Sequence, residues 1–165
     1  MDEEINRITN TIYLGNMYAA SNKKKLKELG IKKILTVMSN CDNEYNPKTF
    51  IHKTIEVDDD FNTNLIKYFK ECFDFIEGDD KVFVHCAAGM SRSPTIVIAY
   101  LMWKKKIFLD QALTLVKNKR PEVSPNYNFM EQLKKFETIL IDNDYDISKI
   151  NFNKISASDK KCLIY

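Results

Sequence analysis

His85–Ser93 reads HCAAGMSRS; the chain enters it from the apolar run Val82–Val84 and leaves it through Pro94 into the apolar stretch Ile96–Trp103, IVIAYLMW. The pattern predicts a buried strand, a loop of small residues and the start of a helix, with Cys86 at the loop's entrance and Arg92 six positions on. A chain passing straight from a strand into a helix N-terminus aims unpaired backbone N–H groups, and the positive end of the helix dipole, at one point. Ala87, Ala88 and Gly89 have little bulk, so the loop can curl with its amides inward as an anion nest. The same field favours the sulfur of Cys86 as thiolate. Arg92 returns to the far side of the loop, where its planar fork can grip two phosphate oxygens. The candidate phosphate-binding set is therefore Cys86, Ala87, Ala88, Gly89, Met90, Ser91 and Arg92. A buried, inert cysteine at a strand end is the bland alternative for Cys86. His85 is expected to orient the loop by a hydrogen bond and not to act as a base, because a thiolate needs none.

Outward from this segment, helical and strand patterns alternate. Strand-like runs lie at Thr11–Leu14, Ile34–Val37, His52–Val57 and Val82–His85. Ser21 can cap a helix that runs through Leu29 and stops at Gly30. Phe69, Cys72, Phe73 and Ile76 repeat at i, i+3, i+4, i+7, which places Cys72 in the core. Leu109, Ala112, Leu113 and Val116 follow the same spacing after a cap near Asp110, as do Phe129, Leu133, Phe136 and Leu140 after Pro125 and Asn126. Alternation before the loop and helices after it predict an α/β fold, a central and mostly parallel sheet flanked by helices.

Composition bounds the function classes. With 165 residues, 44% of them hydrophobic and 29% charged, the chain suits one globular domain, and a net charge of +2 argues for neither nucleic acid nor membrane as a partner. The cysteines at 41, 72, 86 and 162 lack zinc-like spacing, and only His52 and His85 could assist them, so no metal is expected. No signal peptide, glycosylation sequon or apolar run near the ~20 residues of a membrane helix is visible, and a reducing cytoplasm fits a reactive thiol. A monomer is expected.

A thiolate and an arginine do not suffice for turnover of a phosphate ester, because the leaving oxygen must be protonated, and one positioned acid contributes about 10²–10⁴ in rate. Asp58, Asp59 and Asp60, on a loop after the His52–Val57 strand, form the carboxylate cluster that could supply it.

The motif HCxxGxxRS with the following Ala99–Met102 (AYLM) resembles the signature of the dual-specificity protein phosphatases, a branch of the cysteine-dependent protein tyrosine phosphatase superfamily. Ile8–Asn16 resembles that family's N-terminal strand segment, Gly30–Val37 its second strand, and Arg120–Glu137 its last helix with the Pro-Asn lead-in. The resemblance implies hydrolysis of phosphotyrosine and phosphoserine or phosphothreonine on proteins through a phosphocysteine, with a phosphorylated protein as partner and no cofactor. It further implies that Cys86 is the nucleophile and Arg92 the oxyanion clamp. The family's general acid precedes a Tyr-Phe pair, here Tyr68 and Phe69, at a fixed distance, which implies Asp59. Ser93 is implied to hydrogen-bond the sulfur and help it leave; capping the helix is its alternative role. The variable loop positions Ala87, Ala88, Met90 and Ser91 add no cation, which favours phosphoproteins over inositol polyphosphates or RNA triphosphate ends. Two other classes stay open: a non-catalytic phospho-binding module, against which intact Cys86 and Arg92 argue, and a sulfur or arsenate redox enzyme, which would need Cys41 or Cys72 as resolving thiol.

The catalytic domain is expected over residues 1–141, followed by a polar tail, 142–165, that ends KKCLIY. Cys162 with Leu163, Ile164 and Tyr165 has the form of a prenylation box, although a terminal tyrosine lies outside the usual set. Membrane association is expected only with that lipid; otherwise the location is cytoplasmic or also nuclear. Ile147, Ile150, Phe152 and Ile155 offer the alternative of a tail packed back on the domain.

Overall fold

A computed structural model describes residues 4–157. Five strands, β1 (Ile5–Arg7), β2 (Ile12–Gly15), β3 (Ile31–Val37), β4 (Ile51–Ile55) and β5 (Lys81–His85), form one sheet in the order β1-β2-β5-β3-β4. Strands β2, β5, β3 and β4 run parallel, and β1 lies antiparallel on β2 at the edge. The expected α/β fold with a mostly parallel sheet is therefore present.

Strand β5 occupies the centre because its side chains serve both faces. Val82 and Val84 enter the large core on one side, and Phe83 enters the smaller core on the other, as the period of two demands. The small core is closed by α1 (Met17–Ser21) and α2 (Lys23–Glu28) through Ala19, Ala20 and Leu26. The large core is closed by α3 (Phe69–Ile76), α4 (Arg92–Lys105), α5 (Leu109–Lys119) and α6 (Tyr127–Asp142). Every residue of α4 from Ser93 to Met102 is buried, which is why its sequence is apolar on all sides. This central helix takes the chain directly from the carboxyl end of β5, and ligands of parallel α/β sheets bind beyond such strand ends.

Some boundaries differ from expectation. Ser21 ends α1 and caps nothing; α1 is itself capped by Asn16, and α2 by Asn22, whose side chain accepts from the Lys25 N–H. Gly30 does follow α2, in the left-handed region at φ +78. Phe108, not Asp110, occupies the N-cap of α5, its N–H held by the Gln111 side chain. Strand β3 begins three residues early, at Ile31, which pairs with Lys81 of β5, and the ammonium of Lys33 inside it is satisfied by the carbonyls of Phe75 and Glu77.

The segment after α6 folds back. Two 3₁₀ turns, Ile147–Lys149 and Phe152–Lys154, place Ile147 and Phe152 in the large core, with the Phe152 ring 6.1 Å from that of Phe136. Asn64 and Lys135 donate to the carbonyls of Ile155 and Ser156. Residues 143–157 thus pack on the domain as continuations of it, and burial of the Phe152 ring contributes about 1.5–3 kcal/mol. Cys162 lies outside the described residues. Among the described residues no helix is long and apolar enough to cross a membrane.

Candidate active site

The loop between β5 and α4 is built by its carbonyls. Ala87 O accepts from the Met17 N–H at 3.0 Å, Ala88 O and Gly89 O from the Arg120 guanidinium at 3.0 and 2.9 Å, and Met90 O from the Ser124 N–H at 2.8 Å. Ser91 O accepts from both the N–H and the hydroxyl of Thr95, and Cys86 O from the His85 ring. With no cis peptide bond, each N–H points opposite to the carbonyl of its own peptide unit, so outward carbonyls turn the following amides inward. Among the described residues, no N–H from Ala87 to Arg92 has a protein acceptor. Such a ring of unused donors at a helix N-terminus is an anion site. Gly89 sits at φ +67, and a Cβ there would lie 2.5 Å from Gly15 O, so the curl requires glycine.

Cys86 lies at the base of this ring, 2% exposed, and its Sγ accepts from the Ser93 hydroxyl at 3.1 Å. Ser93 is inside α4, and Ser91 holds the N-cap position, so the contact of Ser93 is with sulfur and not with the helix end. Arg92 donates from Nη1 to Val57 O at 3.2 Å, while its Nε is buried without a partner among the described residues. Buried donors of this kind are rare, and a bound oxyanion would satisfy this one.

His85 is fully buried, and burial pushes its ring down to about 4, so it is neutral at physiological pH. Because Cys86 O can only accept, the proton sits on Nδ1, 3.3 Å from that carbonyl. Nε2 must then accept from the Thr36 hydroxyl at 2.7 Å, and Thr36 in turn accepts from Nε2 of His52 at 2.9 Å. A hydrogen-bond chain across β4, β3 and β5 therefore ends on the loop.

Of the three clustered aspartates, the fold brings one to this loop. Asp59 Oδ1 accepts from the Ser91 hydroxyl and from Asn126 Nδ2, each at 2.8 Å. Asp60 instead closes its own turn: hydrogen bonds from Thr63, then from Asn62, hold its carboxyl below the usual carboxylate range. Asp58 is exposed and makes neither contact.

Two residues at the site were not singled out as functional from the sequence. Asn126 is readable as the cap of α6, and its Oδ1 does accept from the Phe129 N–H, but its Nδ2 also holds Asp59 and the Asp60 carbonyl, and its own N–H donates to Ser91 Oγ. In the sequence Arg120 is only the first residue of the stretch that resembles the family's last helix, with no role of its own, yet it is completely buried behind the loop. Cys41, Cys72 and Cys86 are free, and Cys72 lies in the large core, where burial pushes its thiol strongly up. Among the described residues no cluster of His, Cys, Asp or Glu is placed to hold a metal ion.

Comparison with known proteins places this geometry. The family model for the dual specificity phosphatase catalytic domain matches residues 12–139. Dual specificity protein phosphatase 1 of Arabidopsis thaliana is 48% identical over 130 residues, which cover 76% of this chain and 65% of that protein. Dual specificity protein phosphatase 1-B of Xenopus laevis is 43% identical over 131 residues, 77% of this chain but 35% of that protein, so the chain spans about a third of this relative's length. The crystal structure of a mouse putative dual specificity phosphatase complexed with zinc tungstate superimposes with a TM-score of 0.81 at 27% identity, covering 88% of this chain and 93% of the other. A cysteine at the floor of an amide ring, an arginine with a free buried donor and an aspartate tied to the same loop agree with these matches: the chain belongs to the dual specificity phosphatase catalytic domain family.

Proposed function

We propose that the chain hydrolyses phosphate monoesters of tyrosine and of serine or threonine on proteins, through a phosphocysteine intermediate. The observation that carries this reading is the Asp59–Ser91 hydrogen bond at 2.8 Å, which joins a carboxyl group to the loop that holds Cys86 and Arg92. The Cys86 thiolate attacks phosphorus in line, and the bond from phosphorus to the ester oxygen breaks as Asp59 gives that oxygen its proton. The loop amides and Arg92 bind the equatorial oxygens throughout. Water then attacks the phosphocysteine, losing a proton to the Asp59 carboxylate, and the sulfur departs toward the Ser93 hydroxyl as thiolate. Each group ends the cycle in its starting protonation state.

The rim supports a protein substrate. Met17, Tyr18, Phe61, Met90 and Tyr127 are exposed large apolar side chains on segments that meet the loop or the Asp59 turn. No lysine lies within the loop to neutralise a second phosphate. An apolar rim around a single anion site favours a phosphorylated side chain on a polypeptide over a polyphosphate. The thiolate calls for a reducing compartment, and the cytoplasm is the setting proposed. The deciding experiment is a panel of phosphotyrosine, phosphothreonine and phosphoserine peptides, a phosphoinositide and an RNA 5′-triphosphate, run with wild type and Cys86→Ser. Phosphopeptides are expected to give the highest kcat/KM, and Cys86→Ser to be inactive while still binding phosphate. A higher kcat/KM on either polyanion than on every peptide would overturn the substrate assignment, and turnover by Cys86→Ser would overturn the intermediate.

A further inference from the structure

We propose that Arg120 is a positioning residue of the anion site, holding the Ala88 and Gly89 carbonyls outward and so aiming the N–H groups of Gly89 and Met90 at the bound oxyanion. The proposal rests on the reading of the loop as an oxyanion cradle. Arg120 ends α5 and is 0% exposed. Its guanidinium makes three hydrogen bonds, Nε to Gly89 O at 2.9 Å, Nη2 to Ala88 O at 3.0 Å and Nη1 to Asn6 Oδ1 at 2.8 Å, and two ion pairs, Nη2 with Glu4 Oε2 at 3.1 Å and Nη1 with Glu122 Oε1 at 2.9 Å.

Stability alone does not account for this arrangement. A buried ion pair is weak evidence of stabilisation, because desolvation offsets its attraction and apolar replacements are often neutral or better. Two of its three hydrogen bonds instead fall on consecutive carbonyls of one loop. Only a planar fork reaches both at once, and a lysine ammonium is a point donor. The loop is shaped to admit it: a Cβ on Gly89 would lie 2.9 Å from Arg120 Nη2. Whichever way a peptide carbonyl points, its N–H points the other way, so the guanidinium behind the loop sets donors in front of it. Arg92 would grip the anion itself; within the site Arg120 touches only the backbone that does.

The test uses Arg120→Lys and Arg120→Gln in the full chain, with folding checked by near-ultraviolet circular dichroism. Tungstate affinity by calorimetry, phosphate inhibition, and kcat/KM on p-nitrophenyl phosphate and a phosphoserine peptide are the readouts. Both variants are expected to lose about 10²-fold in kcat/KM, by the same factor on the two substrates, and to bind tungstate at least about tenfold more weakly. Arg120→Lys keeps the charge without the fork and should resemble Arg120→Gln. A folded Arg120→Lys with wild-type tungstate affinity would overturn the proposal, as would a loss confined to the phosphoserine peptide. Should neither variant fold, Glu122→Gln loosens Nη1 and keeps the guanidinium; it is expected to weaken tungstate binding about threefold, and unchanged affinity would overturn the proposal. A wild type that cleaves no ester but binds tungstate in an Arg120-dependent way would remove the hydrolase reading and support this one.

Discussion

Replacing Asn126 by alanine separates the proposed acid, Asp59, from the proposed nucleophile, Cys86, more finely than deleting either. The change removes the Nδ2 hydrogen bonds to Asp59 Oδ1 at 2.8 Å and Asp60 O at 3.2 Å, together with the cap on the Phe129 N–H at 2.9 Å. The backbone N–H of residue 126 keeps its bond to Ser91 Oγ. A hydrogen bond to a charged group contributes about 1.5–3 kcal/mol, and the exposure of Asp59 puts this one at the lower end. About 1.4 kcal/mol is tenfold in rate, so kcat on a phosphoserine peptide should fall about tenfold, well inside the ~10²–10⁴ that the whole acid supplies. On p-nitrophenyl phosphate, whose leaving group needs little protonation, kcat should be nearly unchanged. Loss of the cap costs about 1 kcal/mol and should lower Tm by about 2–4 °C. The assay is steady-state kinetics of Asn126→Ala, Asp59→Asn and the double variant on both substrates. On phosphoserine the double variant should be no slower than Asp59→Asn, since one group acts through the other. Equal losses on the two substrates, or additive losses in the double variant, would refute the link between Asn126 and Asp59.

Two further outcomes follow from buried groups. His85 is pushed down to about 4 by burial, so between pH 6.5 and 4 the unfolded chain takes up a proton that the folded chain refuses. Stability should therefore fall by up to about 1.4 kcal/mol per pH unit across that window and show no His85 contribution above it; burial of His52 acts in the same direction. Asp60, held below its usual range, contributes stability that is lost only at lower pH. Urea denaturation at pH 7.5 and 5 checks the slope, and an equally steep loss in His85→Gln would show that another group is responsible. Phe152→Ala should cost about 3 kcal/mol and lower Tm by about 6–12 °C with kcat unchanged; a drop under about 2 °C would mean that residues 147–157 are not docked in solution.

The nucleophile's setting was legible because local chemistry makes it: an apolar run, small loop residues and an all-apolar helix occur in one unbroken stretch. The proposed acid was legible only in part. Residues alone leave Asp58, Asp59 and Asp60 equivalent; the resemblance pointed to Asp59, and in the fold it is Asp59 whose carboxyl group meets Ser91 and Asn126, 32 and 67 positions away. The role of Arg120 could not be read: the resemblance placed it only at the head of the last helix's lead-in, and its hydrogen-bond acceptors come from β1 and the loop. Strand β1, at three residues, is too short to show a period, and it exists by pairing with β2. The ends of β3 and of α2 escaped for a similar reason, a lysine satisfied by distant carbonyls and an asparagine that caps one residue beyond Ser21.

Both donors on the Asp59 carboxyl group, the Ser91 hydroxyl and the Asn126 amide, aim at the same oxygen, Oδ1. An oxygen accepting two hydrogen bonds is the poorer place for a proton, and among the described residues Oδ2 accepts none. Were Asp59 to serve as the proposed acid, its hydrogen would sit on Oδ2, making the carboxyl a one-sided reagent. In the proposed cycle the departing ester oxygen would arrive on the Oδ2 edge, and the water of the second step would surrender its proton to that same edge. The edge of Asp59 that exchanges protons in this cycle is thus set by the Ser91 hydroxyl and the Asn126 amide.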